Sequence, residues 1–163
     1  MHDMPGQIGW IDLTVPDAAG LRDFYQAVTG WTPSPVQMGD YHDFCMHPPG
    51  DPQPVAGICH AKGENVGLPP VWLIYITVDD LDLGIRRCQE LGGKLLRPAI
   101  SMGASGRFCV IEDPAGAICA LYEPAKSSLG DRRQKAIVCP TLPTATSADS
   151  RVSGGRCASS VSW

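Results

Sequence analysis

The chain has 163 residues, a net charge of −4 at pH 7 and a hydrophobic fraction of 44%. This length suits one domain with a sizeable core, and the acidic balance argues against a nucleic-acid partner, which needs a basic surface. No apolar run approaches the roughly 18 residues of a membrane-spanning helix, and the first residues lack a secretory signal pattern. We therefore expect a cytoplasmic protein with no membrane or nucleic-acid partner.

The first half of the chain begins with a predicted strand over residues 8–15, which ends at Pro16. Asp17 is a predicted N-cap for a helix over residues 18–28, whose apolar side chains recur at spacings of three and four, and Gly30 suits its left-handed end. From residue 31 to 61 the chain is broken by glycine and proline. The pattern predicts strands there at residues 40–46 and 55–60.

The second half follows the same plan. A strand over residues 72–78 precedes a helix that begins at Asp79 or Asp80 and ends at Gly92-Gly93. Three strands follow, at residues 94–98, 108–112 and 117–123.

One offset of 63 residues superimposes the two halves, pairing Thr14 with Thr77, Val15 with Val78 and Asp17 with Asp80. A repeat of this length predicts two halves that close around one shared core. We therefore predict a single α+β domain over residues 1–125, made of two βαβββ units at about 7–62 and 70–124. Residues 126–163 are rich in Ser, Thr, Ala, Gly and Arg without sustained periodicity, and we expect them to be disordered.

Several short motifs give the repeat a family resemblance. They are Phe24-Tyr25, Gly30-Trp31, Val78-Asp79-Asp80, Leu91-Gly92-Gly93, Gly106-Arg107-Phe108 and Asp113-Pro114-Ala115-Gly116. With them the chain resembles the vicinal oxygen chelate superfamily, the group of glyoxalases, bleomycin-resistance proteins and extradiol dioxygenases. The resemblance implies that the two units form a curled, mixed, U-shaped sheet that encloses a trough, and it favours a homodimer.

Metal-dependent members of that superfamily place their ligands on the trough side of the first and last strands of each unit. In this sequence the resemblance puts those positions at Trp10, Gly57, Leu73 and Ala120. None of these side chains offers a donor to a divalent ion. We therefore predict no metal site and no other cofactor. A relocated metal site built from His42, His60 and Glu112 or Glu123 is a further alternative.

Strand alternation predicts which side chains share the trough with those four positions. They are Asp12, Thr14, Val55, Cys59, Tyr75, Thr77, Ile118 and Tyr122. The set is apolar and aromatic with few polar groups, which favours a hydrophobic or aromatic small-molecule ligand. The predicted ligand-binding residues are Trp10, Gly57, Cys59, Leu73, Ala120 and Tyr122.

Asp12 is the polar residue that most needs explanation. A carboxylate among aromatic side chains should have a raised pKa and can serve as a general base, with Tyr75 or Tyr122 as proton donor. Asp12 and Tyr75 are therefore the predicted catalytic residues, although a structural hydrogen bond to a neighbouring strand or helix N-terminus is the favoured interpretation of Asp12. Arg107 could pair with Asp12 or with an acidic ligand, but a surface salt bridge is the favoured interpretation.

Three functions follow from these residues. The first is a protein of the bleomycin-resistance type, which binds a hydrophobic molecule without metal. The second is a metal-independent enzyme, an isomerase, lyase or hydroxylase-like protein, with Asp12 as base. The third is a metal-dependent glyoxalase or dioxygenase with relocated ligands.

Overall fold

The computed structural model describes residues 4–125, so the predicted disordered tail lies outside the described residues. Eight strands and two α-helices fill this range, and they confirm the predicted α+β class. In chain order they are β1 Ile8–Val15, α1 Ala18–Thr29, β2 Thr32–Met38, β3 Tyr41–His47, β4 Ala56–His60, β5 Trp72–Thr77, α2 Leu81–Glu90, β6 Lys94–Ser101, β7 Gly106–Glu112 and β8 Ile118–Pro124. Neither described helix has the length and apolar character needed to cross a membrane.

Both helices begin with an aspartate N-cap. The carboxylate of Asp17 accepts a hydrogen bond from the Gly20 amide at 2.9 Å, and that of Asp80 accepts one from the Leu83 amide at 2.9 Å. Each bond satisfies an amide that the first helical turn leaves without a partner. Gly30 ends α1 with a φ of 75°, in the left-handed region that glycine enters without a Cβ clash.

Strand β2 was not among the strands that the sequence pattern singled out. It carries Pro33 and Pro35, which cannot donate to a neighbouring strand, and such residues argue against a central strand. The structure accommodates them because, within residues 4–125, β2 is an edge strand that pairs with β3 alone. A hydrophobic pattern read along the chain does not reveal that a strand has one free edge.

All eight strands form one curled, mixed sheet in the order β2-β3-β4-β1-β5-β8-β7-β6. The first strand of each unit pairs in parallel with the last strand of that unit, Asp12 opposite Gly57 in one and Tyr75 opposite Ala120 in the other. These two registers are 63 residues apart, like the sequence repeat. The antiparallel pair β1–β5 joins the two units at the centre of the sheet.

The two faces of the sheet carry different groups of side chains. Helix α1 covers a cluster with Phe44, Met46 and Ile58, and α2 covers a cluster with Cys109 and Leu121, so both helices lie on the convex face. The opposite face carries a buried group that we call the concave cluster: Trp10, Cys45, Cys59, Leu73, Tyr75, Met102, Phe108, Val110, Ala120 and Tyr122. Because both units contribute to it, the concave cluster is the shared core that the repeat predicts.

Candidate functional site

Asp12 lies at the centre of the concave face and is only 3% exposed. The indole Nε1 of Trp10 donates a hydrogen bond to Asp12 Oδ1 at 2.5 Å. The Tyr75 side chain also forms a hydrogen bond with this carboxyl group. The structure therefore brings the two predicted catalytic residues into direct contact, with Trp10 as a second partner.

The positions of these residues follow from strand geometry. Trp10 and Asp12 are two residues apart on β1 and so project from the same face, and Tyr75 lies opposite Trp10 on β5. Gly57 lies opposite Asp12 on β4. A Cβ atom at residue 57 would overlap Asp12 Oδ1 and would lie 3.2 Å from Asp12 Cγ and 3.5 Å from Trp10 Nε1. Glycine at this position thus leaves the space that the carboxyl group fills.

Burial raises the pKa of Asp12 to about 7. The cause is loss of hydration of the charged form; the hydrogen bonds from Trp10 and Tyr75 oppose this shift, and the nearby carboxylate of Asp43 adds to it. At neutral pH the side chain is therefore present in both its protonated and its ionised form. The ionised form accepts hydrogen bonds from a neighbour, and the protonated form can also donate one.

Asp43 is a second carboxyl group of this region, and we did not single it out from the sequence. It is fully buried, accepts a hydrogen bond from the His60 amide at 2.7 Å, and lies 3.1 Å from His60 Nδ1. The alternation that places Cys45 on the concave face also places Asp43 there. The predicted strand 40–46 therefore already contained the signal.

The remaining predicted ligand-binding residues form the walls around this centre. Leu73 lies opposite Asp12, Ala120 lies opposite Tyr75, and Cys59 lies opposite Thr14. The Tyr122 hydroxyl donates to the carbonyl oxygen of Ser105, so it anchors the turn between β6 and β7.

The predicted trough residues differ from the concave cluster at several positions. Val55, predicted to line the trough, is 42% exposed, directly precedes β4 and does not belong to the concave cluster. Phe108 and Val110 belong to the concave cluster and follow from the same alternation along the predicted strand 108–112. Met102 also belongs to it but lies in a turn, where no periodicity indicates which way a side chain points.

Thr77 carries a hydroxyl on the concave face that lacks a partner within the described residues. The Thr77 side chain is 1% exposed, and its Oγ1 forms no hydrogen bond within the described residues. A buried hydroxyl without a partner is costly, by about 1–3 kcal/mol. Thr77 is two residues from Tyr75 on β5 and lies opposite Tyr122.

The donor set does not fit the metal ion of the glyoxalases and dioxygenases. The four positions implied by the resemblance hold Trp10, Gly57, Leu73 and Ala120, whose side chains cannot coordinate a divalent ion. Within residues 4–125, no three His, Cys, Asp or Glu side chains lie close enough together to hold one.

The residues of the relocated metal site are separated and paired elsewhere. His60 contacts Asp43, Glu112 pairs with Lys94 at 2.5 Å, and Glu123 accepts a hydrogen bond from the Leu81 amide at 2.8 Å. His42 is exposed. The structure therefore gives no basis for the relocated alternative.

Arg107 forms a surface ion-pair network. Its guanidinium lies 2.8 Å from Asp82 and 2.7 Å from Glu123, and these carboxylates hold the pKa of Arg107 above its usual value. The surface interpretation of Arg107 is confirmed, and a pairing with Asp12 is wrong.

A sequence model of the Glyoxalase/Bleomycin resistance protein/Dioxygenase superfamily matches residues 7–120. The chain belongs to this superfamily. The "Putative glyoxylase CFP32" of Mycobacterium tuberculosis is 32% identical over 123 residues, and the match covers 72% of this chain and 46% of that protein. The "Anthracycline biosynthesis protein DnrV" of Streptomyces peucetius is 30% identical over 133 residues, with 72% of this chain and 47% of that protein covered. The chain thus spans about half the length of the curated relatives it matches.

Two solved structures align with this chain over about three quarters of its length. The methylmalonyl-CoA epimerase of Mycobacterium tuberculosis has a TM-score of 0.48 and 21% identity, over 77% of this chain and 93% of the epimerase. The Mn(II)-bound glyoxalase of Novosphingobium aromaticivorans has a TM-score of 0.47 and 19% identity, over 75% of this chain and 39% of the glyoxalase.

Proposed function

We propose that this domain binds a hydrophobic or aromatic small molecule on its concave face, without a metal ion, and that Asp12 is the polar contact that orients it. The observation that carries this proposal is the placement of one buried carboxyl group, held by Trp10 and Tyr75, among aromatic and aliphatic side chains. Ligand sites commonly combine an apolar lining with a few polar groups that fix orientation.

Two further observations support a ligand at this place. The aromatic rings of Trp10, Tyr75, Phe108 and Tyr122 share the concave face, and such rings offer flat apolar surfaces for stacking. The Thr77 hydroxyl, buried without a partner, gains a hydrogen bond if a ligand supplies one.

The relatives are consistent with an aromatic ligand. DnrV is named for anthracycline biosynthesis, and anthracyclines are aromatic small molecules. This similarity, together with membership of a superfamily that includes bleomycin-resistance proteins, supports a binder of that type. The homodimer and the cytoplasmic location remain predictions.

A second candidate function is a metal-independent enzyme. The observation that favours it is the contact between Asp12, whose pKa is raised to about 7, and the Tyr75 side chain. A general base works best when its pKa lies near the working pH. In this alternative Asp12 removes a proton from the bound molecule, and Tyr75 stabilises or protonates the product.

Replacing Asp12 by asparagine separates the two functions. Asparagine keeps the size and a hydrogen-bond acceptor but cannot take up a proton. A binder should retain its affinity within about tenfold, whereas an enzyme that uses Asp12 as base should lose turnover by a factor of about 10² to 10⁴. Asp23→Asn makes the same chemical change at an exposed position of α1 and is the matched control.

The ligand itself is found by a thermal-shift screen of aromatic metabolites and antibiotics against metal-free protein. A ligand that binds only the folded state raises the melting temperature. A hit whose affinity is unchanged by bulky substitutions on the concave face, such as Ala120→Leu, would contradict the proposed location.

A further inference from the structure

The concave cluster is covered in this structure. Asp12 and Tyr75 are each 3% exposed, so a ligand that contacts them cannot enter unless a covering segment moves. One such segment is the connection between β4 and β5, residues 61–71, which we call the strap. It runs between the two units, and its Leu68 packs against the concave cluster.

The hydrogen bonds within the strap are local backbone bonds, among them those from the Asn65, Val66 and Leu68 amides to residues three positions earlier. Gly63 and Gly67 adopt φ values of 53° and 83°, in the left-handed region, so the backbone turns sharply on both sides of Val66. Val66 is exposed, and the buried Asn65 donates to the His60 carbonyl oxygen at 3.4 Å, which is a long hydrogen bond. Because these bonds are local, the position of the strap relative to the sheet depends on its contacts with other elements, such as the Ala61 amide bond to the Val15 carbonyl oxygen at 2.9 Å.

Arg97 supplies one such contact. It lies on β6 opposite Val110, a member of the concave cluster, so it projects on the concave side. Its Nη2 donates a hydrogen bond to the carbonyl oxygen of Val66. This bond connects the strap to β6, the edge strand of the second unit.

The Arg97 guanidinium is a cation without a counterion in the part of the chain that the structure describes. A guanidinium bonds more strongly to a carboxylate, sulfonate or phosphate than to a peptide carbonyl, because the charges attract and two parallel hydrogen bonds form. An anion that reaches Arg97 would therefore displace the Val66 carbonyl oxygen.

We propose that Arg97 is an anion-binding residue at the mouth of the concave face, and that the ligand is an aromatic molecule with an acidic group. This acidic group replaces the Val66 carbonyl oxygen as the partner of Arg97, so the strap loses that contact and can move. This inference rests on the proposed binding function and names its ligand class. The geometry separates the charges, since Asp12 and Asp43 belong to β1 and β3 whereas Arg97 belongs to the far edge strand β6. The aromatic part of the ligand reaches inward, and the acidic group stays at the edge.

Two fluorescent probes with the same ring system test the inference. 8-Anilinonaphthalene-1-sulfonate carries an anion, and N-phenyl-1-naphthylamine lacks it. Each is titrated into the wild-type chain, the Arg97→Met variant and the Arg86→Met variant. Methionine keeps the apolar stem of arginine without its charge, and Arg86 lies on α2 at the convex face, so it is the matched control.

We expect the wild type to bind the sulfonate more tightly than the neutral probe. Arg97→Met should weaken sulfonate binding about tenfold, as expected for loss of a hydrogen bond to a charged group, and should leave neutral-probe binding within about twofold. Arg86→Met should change neither. Equal effects of Arg97→Met on both probes, or none on either, would overturn the role of Arg97. If the wild type binds neither probe, the proposed binding function fails, and the inference fails with it.

Hydrogen exchange distinguishes displacement of the strap from simple charge attraction. The Val66 and Leu68 amides donate within the strap, to Gly63 and Asn65. Saturating sulfonate probe should speed their exchange in the wild type, whereas the neutral probe should not. Unchanged or slower exchange at residues 61–71 would overturn the release of the strap.

Discussion

Replacing Gly57 by alanine tests the packing of Asp12 at the centre of the concave face. The added Cβ would overlap Asp12 Oδ1 and approach its Cγ to 3.2 Å, so the carboxyl group must rotate away. It then loses the hydrogen bonds from Trp10 and Tyr75, and those buried donors are left without their acceptor. An unsatisfied buried group costs about 1–3 kcal/mol, and overpacking costs a similar amount. We expect Gly57→Ala to lower the free energy of unfolding by about 3 kcal/mol.

The assay is urea unfolding at pH 7, followed by far-UV circular dichroism, on Gly57→Ala, Asp12→Ala and the double variant. Asp12→Ala removes the overlapping carboxyl group, so Gly57→Ala should add little in that background, with a coupling energy of about 2–3 kcal/mol. Gly84→Ala is the control. Its Cβ meets only the end of the Leu121 side chain, at 3.2 Å, and it lies within α2, where alanine is favoured. A double variant that loses the sum of the two single costs would refute this account of Asp12.

Three further predictions concern the same site. Because the pKa of Asp12 is raised from 3.8 to about 7, its contribution to stability is complete below pH 4 and is lost as the pH rises to 7. Across that window the free energy of unfolding of the wild type should fall by roughly 4 kcal/mol relative to that of Asp12→Asn. Parallel pH profiles of the two proteins in urea unfolding would contradict this prediction. The hydrogen bond from the Trp10 indole lowers the pKa of Asp12, so Trp10→Phe, which removes this donor, should raise that pKa and move the upper end of the window to higher pH. A downward shift in the same unfolding series would count against the assigned hydrogen bond. Tyr122→Phe should cost about 1 kcal/mol through the lost bond to Ser105 while leaving the pH window unchanged, and a moved window would show that Tyr122 is coupled to Asp12.

Much of the site could be predicted because its residues lie on strands with a period of two. Trp10 and Asp12 share a face of β1 for that reason, and the offset of 63 residues carries Asp12 to Tyr75 on β5. Prediction failed where a strand boundary or an edge decided the outcome. Val55, just before β4, is 42% exposed rather than part of the buried concave cluster, and β2 was not singled out because its prolines are tolerated only at an edge.

The sequence by itself determined the two units, their helix caps and the absence of donor side chains at the four expected metal positions, because each depends on local spacing or residue type. Only the tertiary structure showed that Asp12 fills the space left by Gly57, that Asp43 lies close enough to raise its pKa, and that Arg97 holds Val66. The physical reason is that these interactions join residues far apart in the chain, whose contacts depend on the register and curl of the whole sheet.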